Sequence, residues 1–112
     1  MFAVIYQMYV KPGREPEYQE LWSKIASYFV EHRGAIGSCL HRGSDGLWLA
    51  YSRWPNQATR DASWPGDDAP SDQLPEDIRQ AILSIKDCLD PERKCPEICL
   101  DVVEDLLSKQ FS

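Results

Sequence analysis

The segment Phe2 to Val10, FAVIYQMYV, constrains the fold more than any other part of the sequence. Its β-branched and aromatic residues predict a strand, and Lys11-Pro12-Gly13 ends it. Alternation sends Val4, Tyr6 and Met8 to one side and Ile5 and Tyr9 to the other, with Gln7 the single interruption. A strand that is apolar on both sides needs a cover on both sides.

One cover comes from helices. From about Pro16, Tyr18, Leu21, Trp22, Ile25, Tyr28, Phe29 and His32 recur at spacings of three and four, which predicts an amphipathic helix. Pro16 suits its first turn, where no amide hydrogen is needed, and Gly34 supplies its stop. Ile36 to Arg42 and Leu47 to Trp54 read as strands joined by a Gly43-Ser44-Asp45-Gly46 turn. Pro55 ends the third strand, and Asn56 can cap a short helix over about 57–62. The proline-rich, acidic stretch from Trp64 to Pro75 reads as a loop, with 66–72 either a lid or a solvated insertion. Pro75-Glu76-Asp77 opens a further helix whose buried stripe is Ile78, Ala81, Ile82, Ile85 and Leu89. Ile98 to Val103 is read as the last strand.

The order β-α-β-β-α-β predicts an α+β fold over 1–112, a ferredoxin-like antiparallel sheet with both helices on one face. Length leaves room for one such domain. The other face of the doubly apolar first strand then awaits a second sheet, and another copy of the chain is the simplest source.

Val10-Lys11-Pro12-Gly13 followed by Glu15, Tyr18 and Trp22 resembles the opening of antibiotic biosynthesis monooxygenase (ABM) domains. Gly34-Ala35-Ile36-Gly37-Ser38 and the run Asp45 to Pro55, DGLWLAYSRWP, resemble that family's second and third strands. The similarity extends from about residue 2 to 64 and is architectural beyond. It implies a homodimer, a dimeric α/β barrel with a pocket in each subunit between sheet and helices. It also implies oxidation of hydroquinones or polyketide phenols by molecular oxygen, with no metal, flavin or other cofactor. A related branch of the family degrades haem. Two positions depart from the pattern. The helix histidine that many members carry nine or ten residues after the matching tryptophan is here Ser63 or Trp64, and the haem branch's strand asparagine is Tyr6. Haem degradation is therefore not expected.

Charge excludes other classes. A net charge of −6 disfavours non-specific nucleic-acid binding, which needs a basic face, and docking on an anionic membrane. The longest apolar run falls well short of the roughly 18 residues of a membrane helix. Lys11 and Arg14 follow the first apolar run, where a signal peptide would place its basic residues before it. The expected location is the cytoplasm. There the four cysteines, Cys39, Cys88, Cys95 and Cys99, are expected as free thiols. The spacing Cys88-x6-Cys95-x3-Cys99 lacks a zinc pattern, so no metal ligands are assigned.

Oxidation without a cofactor requires the substrate to supply electrons as a phenolate or enolate. The protein must then offer a proton acceptor and a dry, aromatic-walled cavity. His41 is the strand histidine and the chemical choice for the acceptor. Tyr6 and Tyr51 can orient a ring through their hydroxyls, and Gln7, Trp22, Trp48, Trp54 and Trp64 are the candidate substrate-binding residues. For each aromatic the competing reading is core packing. Parity groups Tyr51 with Leu47, Leu49 and Arg53, and Trp48 with Ala50, Ser52 and Trp54, leaving open which set meets the pocket. Two functions are compatible with these residues: a cofactor-independent monooxygenase of small aromatics, or a non-catalytic dimeric domain that binds a small ligand or serves as a stress or accessory protein.

Overall fold

A computed structural model describes residues 1–63 and 74–107. The elements are β1 (Phe2–Tyr9), α1 (Glu15–His32), β2 (Gly37–Arg42), β3 (Leu47–Trp54), α2 (Gln57–Ser63), α3 (Glu76–Asp87) and β4 (Ile98–Asp101). The four strands form one antiparallel sheet in the order β2-β3-β1-β4. Thus β3 fills the gap left between β1 and β2, as the right-handed crossover rule anticipates. The trace is an α+β, ferredoxin-like architecture.

Local chemistry explains the boundaries. Pro16 sits in the first turn of α1, and Glu15 and Glu17 face its positive dipole end. Asn56 caps α2, its side-chain oxygen accepting from the Thr59 amide at 2.8 Å and the Thr59 hydroxyl at 2.9 Å. In the β2–β3 hairpin, Leu47 N donates to the Ser44 carbonyl at 3.2 Å. Asp45 and Gly46, the two residues between, both have positive φ, the mark of a type I′ turn.

Two elements are shorter than their sequence pattern. β4 stops at Asp101 and not at Val103, because Asp101 pairs with Phe2 and β1 has no further partner beyond its first residue. Only Val102 N, donating to the Met1 carbonyl at 2.9 Å, continues that edge. α3 stops at Asp87, short of Leu89, because the next residues bond to the end of β1. Lys11 N donates to the Cys88 carbonyl and Asp90 N to the Tyr9 carbonyl, both at 2.8 Å.

The register decides which side chains share a face. Phe2 pairs with Trp54, Val4 with Ser52, Tyr6 with Ala50 and Met8 with Trp48, so all of these point the same way. That face meets α1 and α3. Phe2, Val4, Phe29, Trp54, Ile78 and Ile82 are buried together there. Tyr18, Trp48 and Cys88 form a second buried cluster at the other end of the helices.

The opposite face carries Ile5, Tyr9, Leu49, Tyr51, Ile98 and Leu100 by the same alternation. No helix covers it. Ile98 and Leu100 are each 40% exposed. The chain beyond β4 reaches this side, where Asp105 pairs with Arg53 at 2.8 Å. Among the described residues, no helix is long and apolar enough to cross a membrane.

Candidate functional site

Between the sheet and the helices lies a cavity of 570 Å³, within the usual range for a small-ligand site. The sheet contributes Tyr6 from β1 and Ala50, Ser52 and Trp54 from β3. Trp22, Ile25 and Phe29, spaced three and four along α1, form the opposite wall, and Ile82 and Ile85 of α3 close it. Trp54 is fixed from two sides. Its indole N–H donates to the Ser52 hydroxyl at 3.3 Å, and its ring meets Phe29 edge-on with centroids 6.3 Å apart.

A charged corner is set against these apolar walls. Arg60 of α2 is only 6% exposed, and a guanidinium so placed must be paired. Its Nη2 donates to the Tyr6 hydroxyl at 3.3 Å and to the carboxylate of Glu97, while Nη1 donates to Asp61 at 3.0 Å. Tyr6 and Glu97 both line the cavity. Glu97 arrives from the connection between α3 and β4, so β1, α2 and that connection meet at one point.

Burial and charge act oppositely on these groups. Burial pushes the Tyr6 phenol above its ordinary value, and the neighbouring guanidinium only partly offsets this. Burial works against the Arg60 charge, but hydrogen bonds to Tyr6, Glu97 and Asp61 outweigh it and hold the guanidinium ionised. The corner is thus a neutral phenol, a fixed cation and a carboxylate beside an apolar space. Such a set can orient an oxygen-bearing ring and stabilise negative charge on it.

The structure sorts the sequence candidates clearly. Tyr6, Trp22 and Trp54 line the cavity. Gln7 also borders it, although pairing with Leu49 directs its side chain to the far face. Trp48 faces the helices but lies outside the cavity wall, packed edge-on against Tyr18 at 5.6 Å and beneath the Arg42 guanidinium at 5.3 Å. His41 and Tyr51 are on the opposite sheet face, His41 pairing with Leu49 and exposed to solvent. His41, the chemical choice for a proton acceptor, does not reach the sheet–helix cavity, because β2 presents Ser38 to that space. Trp64 and loop 66–72 lie outside the described residues.

Two residues of this corner, Arg60 and Glu97, escaped the sequence reading. Arg60 stands among the polar residues of a seven-residue helix and looks solvated. Glu97 is 37 positions further along, with no local signal of the contact. All four cysteines are free thiols, Cys88 alone being buried, and among the described residues no cluster of His, Cys, Asp or Glu could hold a metal ion.

The fold is shared with solved structures. A Chloroflexus aurantiacus J-10-fl protein assigned to the antibiotic biosynthesis monooxygenases superposes with a TM-score of 0.70 at 14% identity, covering 93% of this chain and 94% of its own. SnoaB, a cofactor-independent oxygenase from Streptomyces nogalater, gives 0.66 at 13% identity, covering 95% and 96%. A conserved protein from Methanosarcina mazei Go1 gives 0.67 at 14% identity, covering 88% and 89%. At such identities the likeness speaks for the fold. No curated protein matches the sequence. Residues 1–63, from β1 through α2 and so including Tyr6, Trp54 and Arg60, match the antibiotic biosynthesis monooxygenase family, to which this chain belongs.

Proposed function

We propose that this protein is a cofactor-independent monooxygenase that oxidises a small aromatic, quinol or polyketide-like phenol within the sheet–helix cavity. One observation carries the reading: an aromatic-walled space of 570 Å³ with a phenol, a guanidinium and a carboxylate gathered at one corner. In this reaction the substrate hydroxyl loses its proton, and the phenolate passes electrons to dioxygen. One oxygen atom ends as a new carbonyl on the ring, and the other leaves with the two displaced hydrogens as water.

Each role follows from position. Glu97 is the only carboxylate lining the cavity among the described residues and takes the hydroxyl proton. Arg60 favours the anion so formed, and Tyr6 orients its oxygen. Trp22, Phe29 and Trp54 hold the ring and keep water out. A second copy on the uncovered sheet face completes the expected barrel.

A second reading, a ligand-binding domain without catalysis, is favoured by one fact. Both histidines, His32 and His41, are exposed and outside the cavity. Oxygen uptake measured with hydroquinones, naphthols and polyketide-like phenols, beside a thermal-shift screen of the same compounds, separates the two. Uptake of one dioxygen per product formed supports the monooxygenase. Stabilisation by these compounds with no uptake makes the binding domain the better reading.

A further inference from the structure

We propose that the cavity selects ligands by a bare acceptor oxygen (a ketone, a quinone carbonyl or a phenolate) that receives the Tyr6 hydroxyl proton. Arg60 sets this polarity by occupying the other side of the same hydroxyl. The inference rests on the cavity being the ligand site, and it holds whether or not the ligand is oxidised.

The argument is an account of donors and acceptors. A guanidinium carries five N–H donors and no acceptor. The 3.3 Å contact from Arg60 Nη2 therefore uses a lone pair of the Tyr6 oxygen, and the phenol cannot donate back to it. The hydroxyl proton must point elsewhere. Glu97 is held by the same nitrogen of Arg60, and no hydrogen bond joins it to Tyr6. Among the described residues the Tyr6 hydroxyl has no further partner, and the side chain lines the cavity. The proton is thus available to whatever fills that space. Burial also keeps the phenol in its protonated, donating form at neutral pH. A cation on one side of a hydroxyl polarises it into a stronger donor on the other. A ligand without an acceptor would displace water and leave the donor unpaired, which is the costly case.

Tyr6 is then the ligand-touching residue, and Arg60 is a positioning residue that acts through it. Two matched probes test this: 1-tetralone, a bicycle bearing one carbonyl, and tetralin, the same bicycle without it. Their dissociation constants are measured by quenching of tryptophan fluorescence, since Trp22 and Trp54 line the cavity. The quantity read is the preference for ketone over hydrocarbon in each variant, which cancels the probes' different affinities for water. Tyr6→Phe should lower that preference about three- to tenfold, the worth of one hydrogen bond, with tetralin binding retained. Arg60→Met should lose a similar share, and Arg60→Lys should restore much of it. A merely structural role for Arg60 would weaken both probes alike and leave the preference unchanged.

An unchanged preference in Tyr6→Phe overturns the proposal, and an unchanged preference in Arg60→Met removes Arg60 from it. If the wild type binds neither probe, this inference falls together with the cavity reading. Ketone preference without oxygen uptake on any phenol leaves this inference standing and retires the monooxygenase. Should Arg60→Met fail to fold, Tyr6→Phe and Arg60→Lys still decide.

Discussion

Arg60 Nη2 donates to the hydroxyl of Tyr6 at 3.3 Å, although 54 residues separate them in the chain. The arginine reaches Tyr6 from α2 while its neighbours on that helix remain in solvent or half-covered. Its charge is balanced by Asp61 beside it and by Glu97 from across the site. The contact therefore couples the central strand of the sheet to the connection that precedes its edge strand.

That coupling has a measurable stability. Breaking a shielded pair leaves one charge without its partner, whereas removing both does not. Glu97 is partly exposed and Asp61 remains, so Glu97→Ala should cost about 1–2 kcal/mol. Chemical denaturation of Glu97→Ala, Arg60→Met and the double variant should show that the two losses do not add. Additive losses would mean that the ion pair contributes nothing to stability.

Under the proposed mechanism, oxygen uptake should depend on Glu97 and not on His41. Glu97→Gln keeps the shape but cannot take a proton, and loss of such assistance costs about 10²–10⁴-fold in rate. His41→Ala alters an exposed residue on the opposite sheet face and should leave oxygen uptake near wild type. The reverse ranking would move the chemistry to that other face.

Alkaline pH should destabilise the fold through Tyr6 and Tyr18. Burial raises both phenols above their ordinary value, and Tyr18 is 2% exposed. Below about pH 10 folded and unfolded chains are equally protonated at these residues. Above it the unfolded chain gives up its protons first and so binds fewer, which makes stability fall as pH rises. Melting temperatures recorded from pH 8 upward should start to drop near pH 10, and Tyr18→Phe should flatten the decline. An equal slope in that variant would exclude Tyr18 as a source.

A second copy is expected on the sheet face that the helices leave open. Ile5, Leu49 and Tyr51 lie there beside Ile98 and Leu100, which are exposed. Light scattering after size exclusion should give about twice 12.8 kDa at micromolar concentration. Ile98→Lys with Leu100→Lys should shift the mass to one chain. A wild-type monomer under these conditions would remove the barrel.

Gly34 ends α1 with φ of +84°, and a Cβ there would lie 3.3 Å from Thr59 Cγ2. Gly34→Ala should therefore destabilise the protein by about 1–2 kcal/mol, the cost of a side chain in the left-handed region. Thermal unfolding checks this; a neutral result would mean that the C-terminal turn of α1 relaxes freely.

What the sequence alone determined is local and periodic. The first strand, the long helix ending before Gly34, the hairpin turn within Gly43-Ser44-Asp45-Gly46 and the Asn56 cap are each written in a few consecutive residues. Their physics acts over one turn or one pleat, so a single stretch of chain suffices. The resemblance to the family was legible for the same reason, since its motifs are those turns and strands. Tertiary structure alone decided the rest. Parity showed that Trp48 and Trp54 share a face, but only the register of β1 on β3 and the docking of α1 and α3 turned that face inward. The same choice turned His41 and Tyr51 outward. Tyr6, Arg60 and Glu97 meet because three elements converge, and each of those side chains read alone is an ordinary strand, helix or loop residue. Desolvation and pairing at that corner depend on everything packed around it, and no local pattern of residues carries that information.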